Sequence, residues 1–160
     1  MLIFQKHIAR FFIVLATCAA FVPQVHAQII VSELKTFSLG RWALNSGNIT
    51  ANQNICVGLR PRGPYSVTVN GDTHAGSFAL KDGLNSIAYR LFFNDRPRTN
   101  GREELRPGQA LTGQRGRRLR ADGTCRRLSA NLSLIVRESN IRAAAAGRYS
   151  ATIVILVSPE

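Results

Sequence analysis

The sequence predicts an all-β domain, a sandwich or barrel of short strands. Three observations carry this. Apolar and polar residues alternate with period two in at least five segments, turn signals separate those segments, and helical periodicity is nearly absent. The chain has 160 residues, 45% of them hydrophobic, which fits one domain with a core of ordinary size. Thirteen glycines and six prolines without a repeat exclude collagen-like and low-complexity chains.

The first segment reads as an export signal. Met1 to Arg10 carries Lys6 and Arg10 and no acid, Phe11 to Val22 is an apolar run short for a membrane span, and Val25-His26-Ala27 has the small residues of a processing site. An uncleaved anchor, or lipoprotein processing at Leu15-Ala16-Thr17-Cys18, are the alternatives. Cleavage after Ala27 leaves 28–160 as the mature domain. It removes two basic residues and no acid, so 133 residues remain at a net charge of +10. Two cysteines remain, Cys56 and Cys125. An even count in an exported chain reads as a disulfide, with two buried free thiols as the alternative.

The elements follow in order. Thr36 to Trp42 is expected to be the first strand of the domain. Ile55 to Leu59 is a short strand closed by Pro61-Arg62-Gly63-Pro64. Tyr65 to Val69 alternates and stops at Asn70-Gly71, a hairpin signal. Ser77 to Leu80 precedes Lys81-Asp82-Gly83, and Ser86 to Phe93 places Ile87, Tyr89, Leu91 and Phe93 on one face. Leu128 to Val136 alternates for longer. Ala143 to Ala146 is expected to form a helical turn capped by Gly147. Tyr149, Ala151, Ile153, Ile155 and Val157 share one face of the last strand, and Val154 and Leu156 make the other face apolar too. Such a strand is buried on both sides or awaits a partner.

Asn94 to Thr124 is polar and rich in arginine, and Leu105, Leu111 and Leu119 could supply short edge strands. The chain as a whole has 21 Lys and Arg against 9 Asp and Glu. A surface this basic suits a polyanion, with Arg115, Arg117, Arg118 and Arg120 as contact candidates. Aromatic residues are not interleaved with them and the chain is exported, so nucleic acid is not expected. Anionic surface polysaccharide or lipid is the better candidate. A solvated basic face is the plain alternative.

The chemical inventory argues against an enzyme. After cleavage His74 is the single histidine and sits in a turn. Glu103 and Glu104 are adjacent among arginines, as in a salt-bridged face. Neither a nucleophile triad nor a phosphate-binding glycine loop is present. No metal or cofactor is expected, since two distant cysteines and one histidine lack the spacing of a zinc site.

Several runs together resemble the spore coat protein U domain family. They are Phe37-Ser38-Leu39-Gly40-Arg41-Trp42, Asn54-Ile55-Cys56-Val57, Tyr65 to Gly71, Phe78-Ala79-Leu80, Ile87 to Asp95, Ala146 to Ile153, and Val157-Ser158-Pro159-Glu160. The resemblance covers most of the mature chain. It implies a subunit of an archaic chaperone–usher pilus, with an immunoglobulin-like β-sandwich that lacks its final strand. A periplasmic pilus chaperone would lend a strand, an outer-membrane usher would pass the subunit on, and another pilin subunit would then supply the strand. The implied route is export through the inner membrane to the periplasm, then the cell surface and pilus. The implied acceptor edge is the last strand, Tyr149, Ala151, Ile153, Ile155 and Val157, with no further strand after it. The donor candidates are Ile29, Val31 and Leu34 in Gln28 to Lys35, a segment expected to stand free of its own fold. That segment is short, which suits a minor or tip subunit. Many family members carry a cysteine before the first strand; here it is absent and Cys125 must pair with Cys56. The runner-up function is a free-standing secreted binding module that uses the arginine-rich segment on anionic polysaccharide or lipid.

Overall fold

A computed structural model describes residues 27–160. Apart from Ala27, the expected signal peptide lies outside the described residues. In chain order the elements are β1 (Gln28–Ser32), β2 (Ile49–Arg60), β3 (Pro64–Gly71), β4 (Thr73–His74), β5 (Ser77–Asp82), β6 (Asn85–Asn94), β7 (Glu103–Leu105), β8 (Ala110–Arg115), β9 (Arg117–Arg118), β10 (Ala130–Val136), α1 (Glu138–Arg142) and β11 (Ile153–Pro159).

The strands form two sheets. The larger runs β1-β2-β10-β6-β5-β4, with β7 added to β6 and β9 to β2; the smaller is β11-β3-β8. All pairings between strands are antiparallel except β2 with β9. The alternating side chains of the two sheets meet in one core. Val67 and Val69 come from β3, Leu91 and Phe93 from β6, and Leu132 and Leu134 from β10, all buried. Tyr65 of the small sheet meets Phe93 of the large one edge-on, at 6.3 Å between ring centroids. The chain is an all-β sandwich, as the alternation predicts.

Where β10 parts from β2, a buried side chain continues the pairing. The Ser129 hydroxyl accepts from the Val57 amide at 2.8 Å and donates to the Val57 carbonyl at 3.0 Å. Between Ile55 and Val57 on β2, Cys56 is joined by a disulfide to Cys125, with 6.2 Å between Cα atoms. This is the pairing expected from the sequence.

Three local expectations are corrected. Residues 36–42 do not form the first strand, because Glu33 and Gly40 have φ of 66° and 71°, outside extended geometry. Instead β1 lies upstream and pairs with Cys56–Arg60 of β2. Asn70-Gly71 is not a turn but the end of β3, where a Cβ on Gly71 would come within 2.7 Å of the Thr152 carbonyl oxygen. The tight turn is Ala75-Gly76, both at positive φ, between β4 and β5. The helix forms at Glu138–Arg142, ahead of Ala143 to Ala146, because Glu138 in its first turn pairs with Arg142 one turn later at 2.7 Å. The arginine-rich segment supplies short strands, as expected from Leu105, Leu111 and Leu119. It contributes β7, β8 and β9, and buries Leu105 and Leu119.

Candidate assembly groove

The described chain leaves one sheet edge open beside an apolar groove. Strand β11 pairs with β3 alone, from Ile153 opposite Gly71 to Pro159 opposite Tyr65. Ile153, Ile155 and Val157 turn inward and are half-buried, whereas Val154 and Leu156 on the outer face are 54% and 52% exposed. The chain before β11 is tied to the other sheet: Ser150 and Lys81 exchange backbone hydrogen bonds at 2.7 and 3.0 Å. The last segment thus crosses from the large sheet at Ser150 to the small sheet at Ile153. Tyr149 and Ala151 precede β11 rather than belonging to it.

Facing this segment across the gap is the irregular stretch 34–40. The two form the walls of a groove of about 770 Å³, and its floor is Leu80, Tyr89, Leu132 and Leu134. One wall is fixed by a side chain. The Gln53 amide accepts from the Lys35 N–H at 2.8 Å and donates to the Lys35 carbonyl at 2.9 Å. These two bonds mimic a strand pair and hold residues 34–40 beside β2 without a ladder. Burial pushes the Tyr89 hydroxyl up to about 12, with the Asp72 carboxylate adding to the shift.

Of the donor candidates, Ile29 and Val31 lie in β1, half-buried on the chain's own core, and Leu34 lines the groove wall at 46% exposure. Strand β1 pairs with β2 and packs beside β11. The segment therefore does not stand free of its own fold, because the backbone of Cys56–Arg60 offers it a ladder. The groove candidates Tyr149, Ala151, Ile153 and Ile155 all line the groove; Val157 lies further along β11.

The arginine candidates divide. Arg117, Arg118 and Arg120 gather in a second pocket with Arg62, Arg126 and Arg127, whereas Arg115 ends β8 with its amide donating to Asp95 at 3.2 Å. Of the adjacent acids, Glu104 pairs with Arg90 at 2.5 Å, and the hydrogen bonds from that guanidinium hold its carboxyl below the usual range. His74 is exposed in β4.

No family model matches the chain, and no curated protein matches it. Among solved structures, the fold is similar to a chain from work on a chaperone–tip adhesin complex in CFA/I fimbriae biogenesis, with a TM-score of 0.54 and 16% identity. The match covers 82% of this chain and 41% of that one. The likeness is one of fold. The chain spans less than half of the neighbour's length, so the likeness concerns the sandwich and not the whole of that molecule.

Proposed function

We propose that the chain is an exported, non-enzymatic subunit of a chaperone–usher pilus of the spore coat U type, completed by a strand from another chain. One observation carries the reading: among the described residues β11 is paired on one side only, and the free side borders an apolar groove. An extended segment entering there would add backbone hydrogen bonds to β11. It would also place alternate side chains over Leu80, Leu132 and Leu134. Such an edge, left open, invites uncontrolled pairing, which is the physical need for a periplasmic chaperone during export.

The position of β1 favours a minor or tip place. A shaft subunit must release its N-terminal segment to complete a neighbour, and here Ile29 and Val31 already pack on their own core. A subunit at the end of the fibre has no such duty. The test is expression of the mature chain in the periplasm with and without a co-expressed pilus chaperone. The reading expects soluble 1:1 complex in the first case and aggregated or degraded chain in the second. Equal yields of stable monomer would contradict it.

A further inference from the structure

The six arginines that line the second pocket come from two parts of the chain, Arg62 after β2 and Arg117, Arg118, Arg120, Arg126 and Arg127 from the segment around β9. All six are exposed, and the cavity they enclose is about 460 Å³. Among the described residues none of the six forms an ion pair. The one acid between Arg106 and Arg137 is Asp122. Its carboxylate accepts from the Thr124 amide at 2.9 Å and the Thr124 hydroxyl at 2.7 Å.

The cluster is held by the fold. Strand β9 runs parallel to β2 at Gly58 and Leu59, on the opposite edge from β1. Gly58 makes room for the Leu119 side chain and Gly116 for that of Leu59; a Cβ at either would collide. The Leu119 amide donates to the Leu59 carbonyl at 3.2 Å, Arg60 donates to the Arg120 carbonyl, and the Cys56–Cys125 disulfide fixes the far end. Six like charges held this close repel one another, and a multivalent anion relieves that repulsion. Guanidinium groups recognise oxyanions through paired N–H donors. The lining holds no aromatic ring, so nothing is offered on which a base could stack.

We propose that this pocket binds a saccharide carrying clustered sulfate or phosphate esters. The site shares no lining residue with the assembly groove, so its failure would leave the subunit reading untouched, and the reverse.

The experiment uses the mature chain as purified, free or chaperone-bound, in calorimetric titrations. The probes are a heparin-derived hexasaccharide, a phosphorylated mannan fragment, a carboxylate-only hexagalacturonate and a single-stranded DNA 12-mer. The expected result is salt-sensitive binding of one or both ester-bearing saccharides, the tighter of the two naming the ester. Arg117, Arg118, Arg120 and Arg126 changed together to Ser should weaken it at least about a hundredfold. The same number of exposed arginines removed elsewhere (Arg41, Arg96, Arg98 and Arg148 to Ser) should change it less than about threefold. If the Ser quartet does not fold, the same four changed to Lys keep the charge and lose the fork, and should weaken binding about tenfold. Equal losses for the pocket and control quartets, no loss with Lys, no binding of either ester, or equal binding of galacturonate or DNA would overturn the proposal.

Discussion

The side-chain amide of Gln53 bonds both the N–H and the carbonyl of Lys35, at 2.8 and 2.9 Å, and so stands in for a strand at one wall of the groove. Both bonds are exposed, so their joint contribution is modest, about 1 kcal/mol. Gln53→Ala should lower the melting temperature by a few degrees and speed amide exchange at Lys35. Glu at this position keeps the acceptor and loses the donor, and should fall between the two.

Strand β1 gives an outcome that the sequence alone did not suggest. A free donor segment would tolerate charge, but Ile29 and Val31 are half-buried against the core. Ile29→Asp with Val31→Asp should therefore destabilise the chain itself, by about 2 kcal/mol or more in thermal or denaturant unfolding. Unchanged stability would mean that β1 adds little to its own sheet and is free for exchange.

The arginine-rich segment separates into two kinds of residue. Arg115, Arg117, Arg118 and Arg120 are exposed and, among the described residues, in no ion pair, so changing them to Ser should leave the melting temperature nearly as it was. Leu119, between them, is 4% exposed and packs over Gly58. Leu119→Ala should cost about 2–4 kcal/mol in denaturant unfolding.

How much of this was legible in the sequence follows from how local each signal is. Ser86 to Phe93 and Leu128 to Val136 alternate cleanly, and both became central strands, β6 and β10, because their faces are set by neighbours two residues away. The two-residue turn at Ala75-Gly76 lost to Asn70-Gly71 in the sequence because Ala is seldom at positive φ. Strands β7 and β9, of three and two residues, are too short to show a period. The groove was foreseeable from Ile153 to Val157, which is apolar on both faces, but its other wall depends on Gln53 and Lys35, eighteen residues apart. The pocket needs Arg62 and Arg117 on one lining, a placement that the β2–β9 pairing creates and no linear pattern announces.

Alkaline pH should unfold the domain through Tyr89. Its hydroxyl, near 10 when unfolded, is raised to about 12 by burial in the groove floor. The stabilisation is complete below pH 10 and is lost as pH rises from 10 through 12, by about 1.4 kcal/mol per unit. Tyr65, fully buried and also raised, acts in the same direction. Tyr89→Phe should flatten the decline of melting temperature across that window.

The central claim is that β11 has an unfilled place beside it, and amide hydrogen exchange with and without a donor strand tests this most directly. The donor is a peptide from a partner subunit, or the strand of the chaperone, presented to the mature chain. The account predicts that the β11 amides facing away from β3, and those of residues 34–40 other than Lys35, exchange quickly in the free chain and slow at least about tenfold on complementation, while those of β6 and β10 stay protected throughout. If β11 is already as protected as β6 and β10 in a lone, monomeric chain, and no donor changes it, the sandwich is complete by itself and the account is contradicted.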